Sequence, residues 1–144
     1  MELNRGCVVT ESIPCVLLAE ENGEFGSAMA AWLAEHDIGA AYKNSLSDAA
    51  TILRDAIFTN AMFDGLLISF NSRNPSYRLI TEFGNEFPDR PIAVLAEEED
   101  KRLQTWAGAR DIMLLKKPFE LAELDLWAAR VKSVYKRRSA RRIA

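Results

Sequence analysis

Three short apolar runs each end in residues able to do chemistry. Cys15-Val16-Leu17-Leu18-Ala19 ends in Glu20-Glu21, and Gly65-Leu66-Leu67-Ile68 ends in Ser69. The third, Ile112-Met113-Leu114-Leu115, ends in Lys116-Lys117-Pro118-Phe119. Paired carboxylates can hold a divalent cation through hard oxygen ligands, or can be neutralised by a lysine. A serine hydroxyl becomes a nucleophile only beside a general base. The one histidine, His36, falls on a helix-like segment out of reach of Ser69, so a Ser-His pair is not expected. A serine hydrogen-bonded to Lys117 or to backbone is the simpler expectation.

Positioning these groups requires strands, and strand-like and helix-like segments alternate along the chain. After the first strand, Phe25, Met29, Trp32, Leu33 and His36 recur at helical spacing, with Gly39 as a stop signal. Ala40-Ala41-Tyr42 is a weak second strand, and Ser47-Asp48 reads as the cap of a helix carrying Ala49, Ile52, Leu53 and Ala56. Asp64 to Ser69 is nearly continuously apolar, as a parallel strand covered on both faces should be. Pro75 can start a third helix with Tyr77, Ile80, Phe83 and Phe87 inward. Ile92-Ala93-Val94-Leu95 is a fourth strand, and Glu97-Glu98-Glu99-Asp100 puts acids at a helix start, where its dipole favours them. After the fifth strand a last helix presents Leu121, Leu124, Ala128, Val131 and Tyr135 on one face. Five such units in series predict an α/β fold, the flavodoxin-like (βα)5 doubly wound sandwich with a five-stranded parallel sheet. Right-handed crossovers make the order 2-1-3-4-5.

Composition narrows the class. At 144 residues, 49% apolar and 27% charged, the chain suits one soluble domain without disulfide or metal staples. No apolar run approaches the roughly 20 residues of a membrane span, and the first residues do not read as a signal peptide. Cys7 and Cys15 are expected as free thiols in a reducing cytoplasm. The net charge of −3 hides an asymmetry, because no acid follows Asp125 while Lys132, Lys136, Arg137, Arg138, Arg141 and Arg142 all do. Without residues from Lys132 onward, 12 basic residues face 21 acidic ones, so the body itself does not suit a nucleic-acid surface. The expected organisation is a leader over 1–12, a domain over 13–136 and a basic tail over 137–144.

Two carboxylates, a strand-end residue and a Lys-Pro, each at the carboxyl end of a strand, resemble the layout of the response-regulator receiver (CheY-like) family over roughly residues 14 to 136. The resemblance implies a crevice formed by Glu20, Glu21, Ser69, Ala96 and Lys117. In that family the acidic pair and a phosphoacceptor aspartate hold magnesium, a hydroxyl residue contacts the phosphoryl group, and the lysine neutralises it. Lys117-Pro118-Phe119 is the most specific match, and it makes Pro118 a cis-proline candidate. The departures agree with each other. Ser69 stands where the aspartate would be and cannot form an acyl phosphate. Ala96 lacks the hydroxyl, Leu114 replaces the aromatic of the switch position, and Glu20-Glu21 reaches one methylene further than an aspartate pair. With the third carboxylate gone, a salt bridge to Lys117 is favoured over metal binding.

The resemblance therefore implies a stand-alone, cytoplasmic pseudo-receiver in two-component-type signal transduction. It would be independent of phosphorylation, without enzymatic activity, cofactor or metal. It would act on a protein partner or as a homodimer through helix four, strand five and helix five. Trp106 and Trp127 belong to that surface, and one of them is expected exposed as an anchor, whereas Trp32 is expected in the core. The alternative is a regulator that uses the basic tail on nucleic acid or anionic membrane, with the receiver body for dimerisation. Deleting residues from Lys136 onward would separate the two. An enzyme on the same scaffold has little support, since the crevice lacks His, Cys and a glycine-rich phosphate loop.

Overall fold

A computed structural model of the protein describes residues 13–59, 61–70, 77–98 and 100–143. The apolar runs form β1 (Cys15–Ala19), β2 (Gly39–Lys43), β3 (Gly65–Phe70), β4 (Ile92–Ala96) and β5 (Met113–Lys116). All pairings are parallel, and the order is β2-β1-β3-β4-β5. Between and after them lie α1 (Gly23–Glu35), α2 (Leu46–Thr59), α3 (Tyr77–Glu86), α4 (Lys101–Ala109) and α5 (Asp125–Ile143), the last entered through a 3-10 turn at Leu121–Leu124. The flavodoxin-like architecture is the one the alternation of segments predicts. Pro75, Cys7 and the leader lie outside the described residues. Among the described residues, no helix is long and apolar enough to cross a membrane.

Each strand feeds two cores because its side chains alternate between faces. Leu17, Leu66, Ile68, Phe70, Val94 and Ala96 pack with Leu53 of α2, Ile80 and Phe83 of α3 and Leu103 of α4. Val16, Leu18, Leu67, Ala93 and Leu95 pack with Met29 and Leu33 of α1 and Trp127, Ala128 and Val131 of α5. Burial on both faces explains why β1 and β3 lack polar alternation.

Several local expectations change. Helix α1 ends before Gly39: His36 is its cap, Asp37 takes the left-handed position at φ 62°, and Asp37 and Ile38 donate back to Ala34 and Leu33. That is the Schellman arrangement with aspartate in the place usually held by glycine. Helix α4 repeats it with Asp111 at φ 56°. Helix α2 starts at Leu46, and Ser45 Oγ accepts from the Asp48 N–H, so Ser45 rather than Ser47 caps it. Trp32 is half-buried and stacks on His36 at 4.1 Å, while the His36 Nδ1–H donates to the Trp32 carbonyl at 2.8 Å. Cys15 is held in a disulfide, contrary to the free thiol expected; the only other cysteine is Cys7.

The largest correction concerns the basic end. Residues 137–143 are not a tail but the last turns of α5. Arg138 continues the inward stripe of Val131 and Val134 and is only 8% exposed. Its Nε donates to Asp64 Oδ1 at 2.6 Å and its Nη2 to Asp64 Oδ2 at 2.9 Å. Asp64 is fully buried, and its Oδ2 also accepts the Cys15 N–H at 3.0 Å. The pair ties α5 to the sheet at the end opposite the crevice.

Candidate functional site

Parallel pairing brings the candidate residues together. Ala19 lies level with Ile68, so the next residues, Glu20 and Ser69, are neighbours at the carboxyl ends of β1 and β3. Lys117 follows β5, and its N–H donates to the Ala96 carbonyl at 2.7 Å. The Lys117–Pro118 peptide is cis. Together with Glu21, Asn22, Ser45, Leu46 and Glu97 these segments line a crevice of about 280 Å3. It lies beyond the strand ends, where doubly wound sheets place their ligands.

Inside the crevice one carboxylate organises the rest. Glu20 is 4% exposed, and its Oε1 accepts both the Lys117 ammonium at 2.9 Å and the Ser69 hydroxyl. Its Oε2 accepts the Asn22 N–H at 3.0 Å. Asn22 in turn caps α1 by accepting from the Phe25 N–H at 2.9 Å. The Lys117 ammonium lies 5.0 Å over the Phe25 ring, which meets Phe119 edge-on at 5.7 Å. Tyr42 donates its hydroxyl to the Glu20 carbonyl at 3.0 Å. Burial, with the Glu20 charge adding to it, raises the Tyr42 phenol above its ordinary value of 10.0. Tyr42 can lie there because residue 26 is glycine: a Cβ at that position would meet the Tyr42 ring at 2.3 Å.

The structure thus brings Glu20, Ser69 and Lys117 into contact and leaves Glu21 exposed on the crevice wall. Ala96 is not in the crevice. Its side chain has the parity of Phe70 and faces the core under α2, α3 and α4, whereas Ser69 shares the parity of Leu67. The next residue, Glu97, supplies the wall instead. Leu114 is half-buried against the core below α4. Trp127, an interface candidate, is only 1% exposed and donates its indole N–H to the Pro91 carbonyl at 3.2 Å, so it serves the core. Leu126 beside it, 64% exposed, is the residue that faces outward. Trp106 is half-buried, with Tyr77 edge-on at 4.7 Å and the Arg110 guanidinium 4.5 Å over its ring. Tyr77 also meets Phe70 at 5.0 Å, so a file of rings runs from the residue after Ser69 to α4.

The arrangement sets a carboxylate and an ammonium in direct contact. Among the described residues, no group of three His, Cys, Asp or Glu side chains is placed to hold an ion. Both Glu20 oxygens already accept hydrogen bonds, and Ser69 offers no charge.

No family model and no curated protein matches the sequence. Solved structures do match. The non-phosphorylated HemR receiver domain from Leptospira biflexa aligns at TM-score 0.70 and 19% identity, over 83% of this chain and 94% of that one. A response regulator receiver protein from Sinorhizobium medicae aligns at 0.71 and 16%, over 88% and 99%. The Francisella response regulator 1452 receiver domain aligns at 0.66 and 18%, over 86% and 98%. By strand order, crevice position and these neighbours, the chain has the fold of the response-regulator receiver domains.

Proposed function

We propose that this chain is a pseudo-receiver: a response-regulator-type module of two-component signal transduction that acts by binding a protein partner, independently of phosphorylation. The observation that supports this most is the closed circuit at Glu20. Its carboxylate is held by Lys117, Ser69 and the Asn22 N–H. A receiver's phosphoryl chemistry needs a carboxylate nucleophile at the end of β3, a metal shared with it and a lysine available to the phosphoryl group. Here the β3 residue is a hydroxyl donor, and the lysine is paired with the carboxylate. No catalytic step is assigned to the crevice. The partner surface is α4, β5 and α5, where exposed Leu126 gives apolar contact area, while Trp106 of α4 turns toward Tyr77 of α3.

The test is to record amide spectra of the labelled protein with acetyl phosphate or beryllofluoride and magnesium. Unchanged signals for Glu20, Ser69 and Lys117 are expected. A saturable response that disappears in Ser69→Ala sinks the reading. A second reading, attraction to nucleic acid or anionic lipid, draws on α5: Arg130 and Arg137 are exposed and lie about 10 Å apart along the helix. Reversing both to glutamate and comparing binding to duplex DNA and to anionic vesicles tests it without disturbing Arg138.

A further inference from the structure

A groove unconnected with the crevice lies between α3 and α4. It encloses about 260 Å3, with Ile80, Ile92 and Ile112 inside and Thr81, Asn85 and Arg110 among the polar lining. The Trp106 indole and the backbone at Gly84 complete its wall. Drug-sized ligands usually occupy roughly 300–1,000 Å3, so a space of this size suits a single large side chain.

Two observations identify the occupant. The first is Gly84. A Cβ there would meet nothing within 4 Å, and the residue has no left-handed backbone, so neither packing nor conformation calls for glycine. Glycine within a helix costs up to about 1 kcal/mol relative to alanine. What it does is keep the groove open. The second is Arg110. Its guanidinium is held over the Trp106 ring at 4.5 Å, and its Nη1 donates to the Trp106 carbonyl at 3.2 Å. Among the described residues it makes no ion pair, whereas the adjacent Asp111 pairs with Arg130 at 3.5 Å. A positioned cation at the rim of an apolar groove complements a carboxylate held beside an apolar anchor.

We propose that this groove receives an extended segment of a partner protein, with one large apolar side chain in the groove and an adjacent carboxylate on Arg110. The chain's net charge of −3 works against a polyacidic partner, so a single acid beside the anchor is specified. The proposal builds on the reading of the chain as a binding module and supplies the partner's chemistry. It uses a different face from the crevice, so the two fail separately: a phosphorylation response at Ser69 leaves groove binding untouched.

The test is an amide and indole titration of the full labelled chain with two probes, N-acetyl-Phe-Glu-amide and N-acetyl-Phe-Lys-amide. Saturable movement of the Trp106 indole N–H and the Gly84 and Arg110 amides is expected with the acidic probe. The basic probe should bind roughly tenfold more weakly, a difference of about 1.4 kcal/mol. Arg110→Gln should bring the acidic probe down to the level of the basic one. Gly84→Leu should abolish binding while raising the melting temperature, which shows that the variant is folded. Equal affinity for both probes, no saturable shift, shifts confined to Glu20, Ser69 and Lys117, or full binding by Gly84→Leu would each overturn the proposal.

Discussion

Replacing Arg138 by methionine should strongly destabilise this protein, although composition places the residue in a basic tail. The substitution keeps most of the side-chain volume and removes both bonds to Asp64, at 2.6 and 2.9 Å. The carboxylate is fully buried and would keep the Cys15 N–H among its donors. Breaking a buried pair from one side costs about 3–5 kcal/mol, because the remaining charge has neither water nor counter-ion. A domain of this size has a total stability of about 5–15 kcal/mol. At roughly 2–4 °C per kcal/mol, the melting temperature should fall by about 10 °C. Arg137→Met, one residue away and exposed, should stay within about 0.5 kcal/mol of the parent. Asp64→Leu combined with Arg138→Met should recover part of the loss, since no unpaired charge stays buried, while the Cys15 N–H gives up its Asp64 acceptor. Urea unfolding followed by circular dichroism measures all four proteins. If Arg138→Met falls within 1 kcal/mol of Arg137→Met, the pair does not hold α5 and the reasoning fails. By the same account, deletion from Lys136 onward removes Arg138 and lowers stability along with the basic end, so it does not isolate a tail function.

Tyr42 sets an alkaline limit. Its ionisation is raised, so the neutral phenol's contribution is complete below about pH 10 and is lost as the pH rises through the folded value. Tyr42→Phe should cost about 1 kcal/mol at pH 8, and its gap from the parent should shrink toward pH 11; a constant gap refutes this. Gly26→Ala should push the Tyr42 ring away, returning its tyrosinate absorbance titration toward the ordinary value at a cost of about 1–3 kcal/mol. Asp37→Gly should stabilise by roughly 0.5–1 kcal/mol, by relieving a side chain in the left-handed region; chemical denaturation showing a loss would refute that. Ser69→Asp places a second carboxylate beside Glu20 and should lower stability by roughly 1–2 kcal/mol at pH 7, and a magnesium-dependent recovery beyond the parent would show a working metal site.

The sheet was legible because both of its faces are covered: five apolar runs alternating with helical stripes leave few topologies. Glu20, Ser69 and Lys117 could be brought together from sequence because each ends a strand, and parallel strands put their ends on one side. Ala96 lies outside the crevice because it is level with Phe70, one residue beyond the Leu95 that faces Ser69, and this one-residue register is not written in an apolar run. The role of Arg138 is hard to read from sequence because six basic residues without an acid look like a solvated end. The available signal was its spacing, seven after Val131 and four after Val134, together with the acid Asp64 heading β3. Trp127 was ambiguous for another reason. An indole can be core or anchor, and the Pro91 carbonyl that satisfies its N–H comes from 36 residues away.

The two ion pairs also set register. β1 is five residues long, all buried, with apolar side chains on both faces, so hydrophobicity alone barely distinguishes one alignment with β3 from the next. Its first residue bonds to Asp64 at one end, and the residue after its last bonds to Lys117 and Ser69 at the other. A one-residue slip of β1 would break both ends at once and carry Glu20 toward the apolar interior or Cys15 out of it. Parallel strands have no hairpin turn to count residues for them. In this chain, polar contacts at the floor and rim of the sheet do the counting, so the crevice residues Glu20, Ser69 and Lys117 also fix how the central strands align.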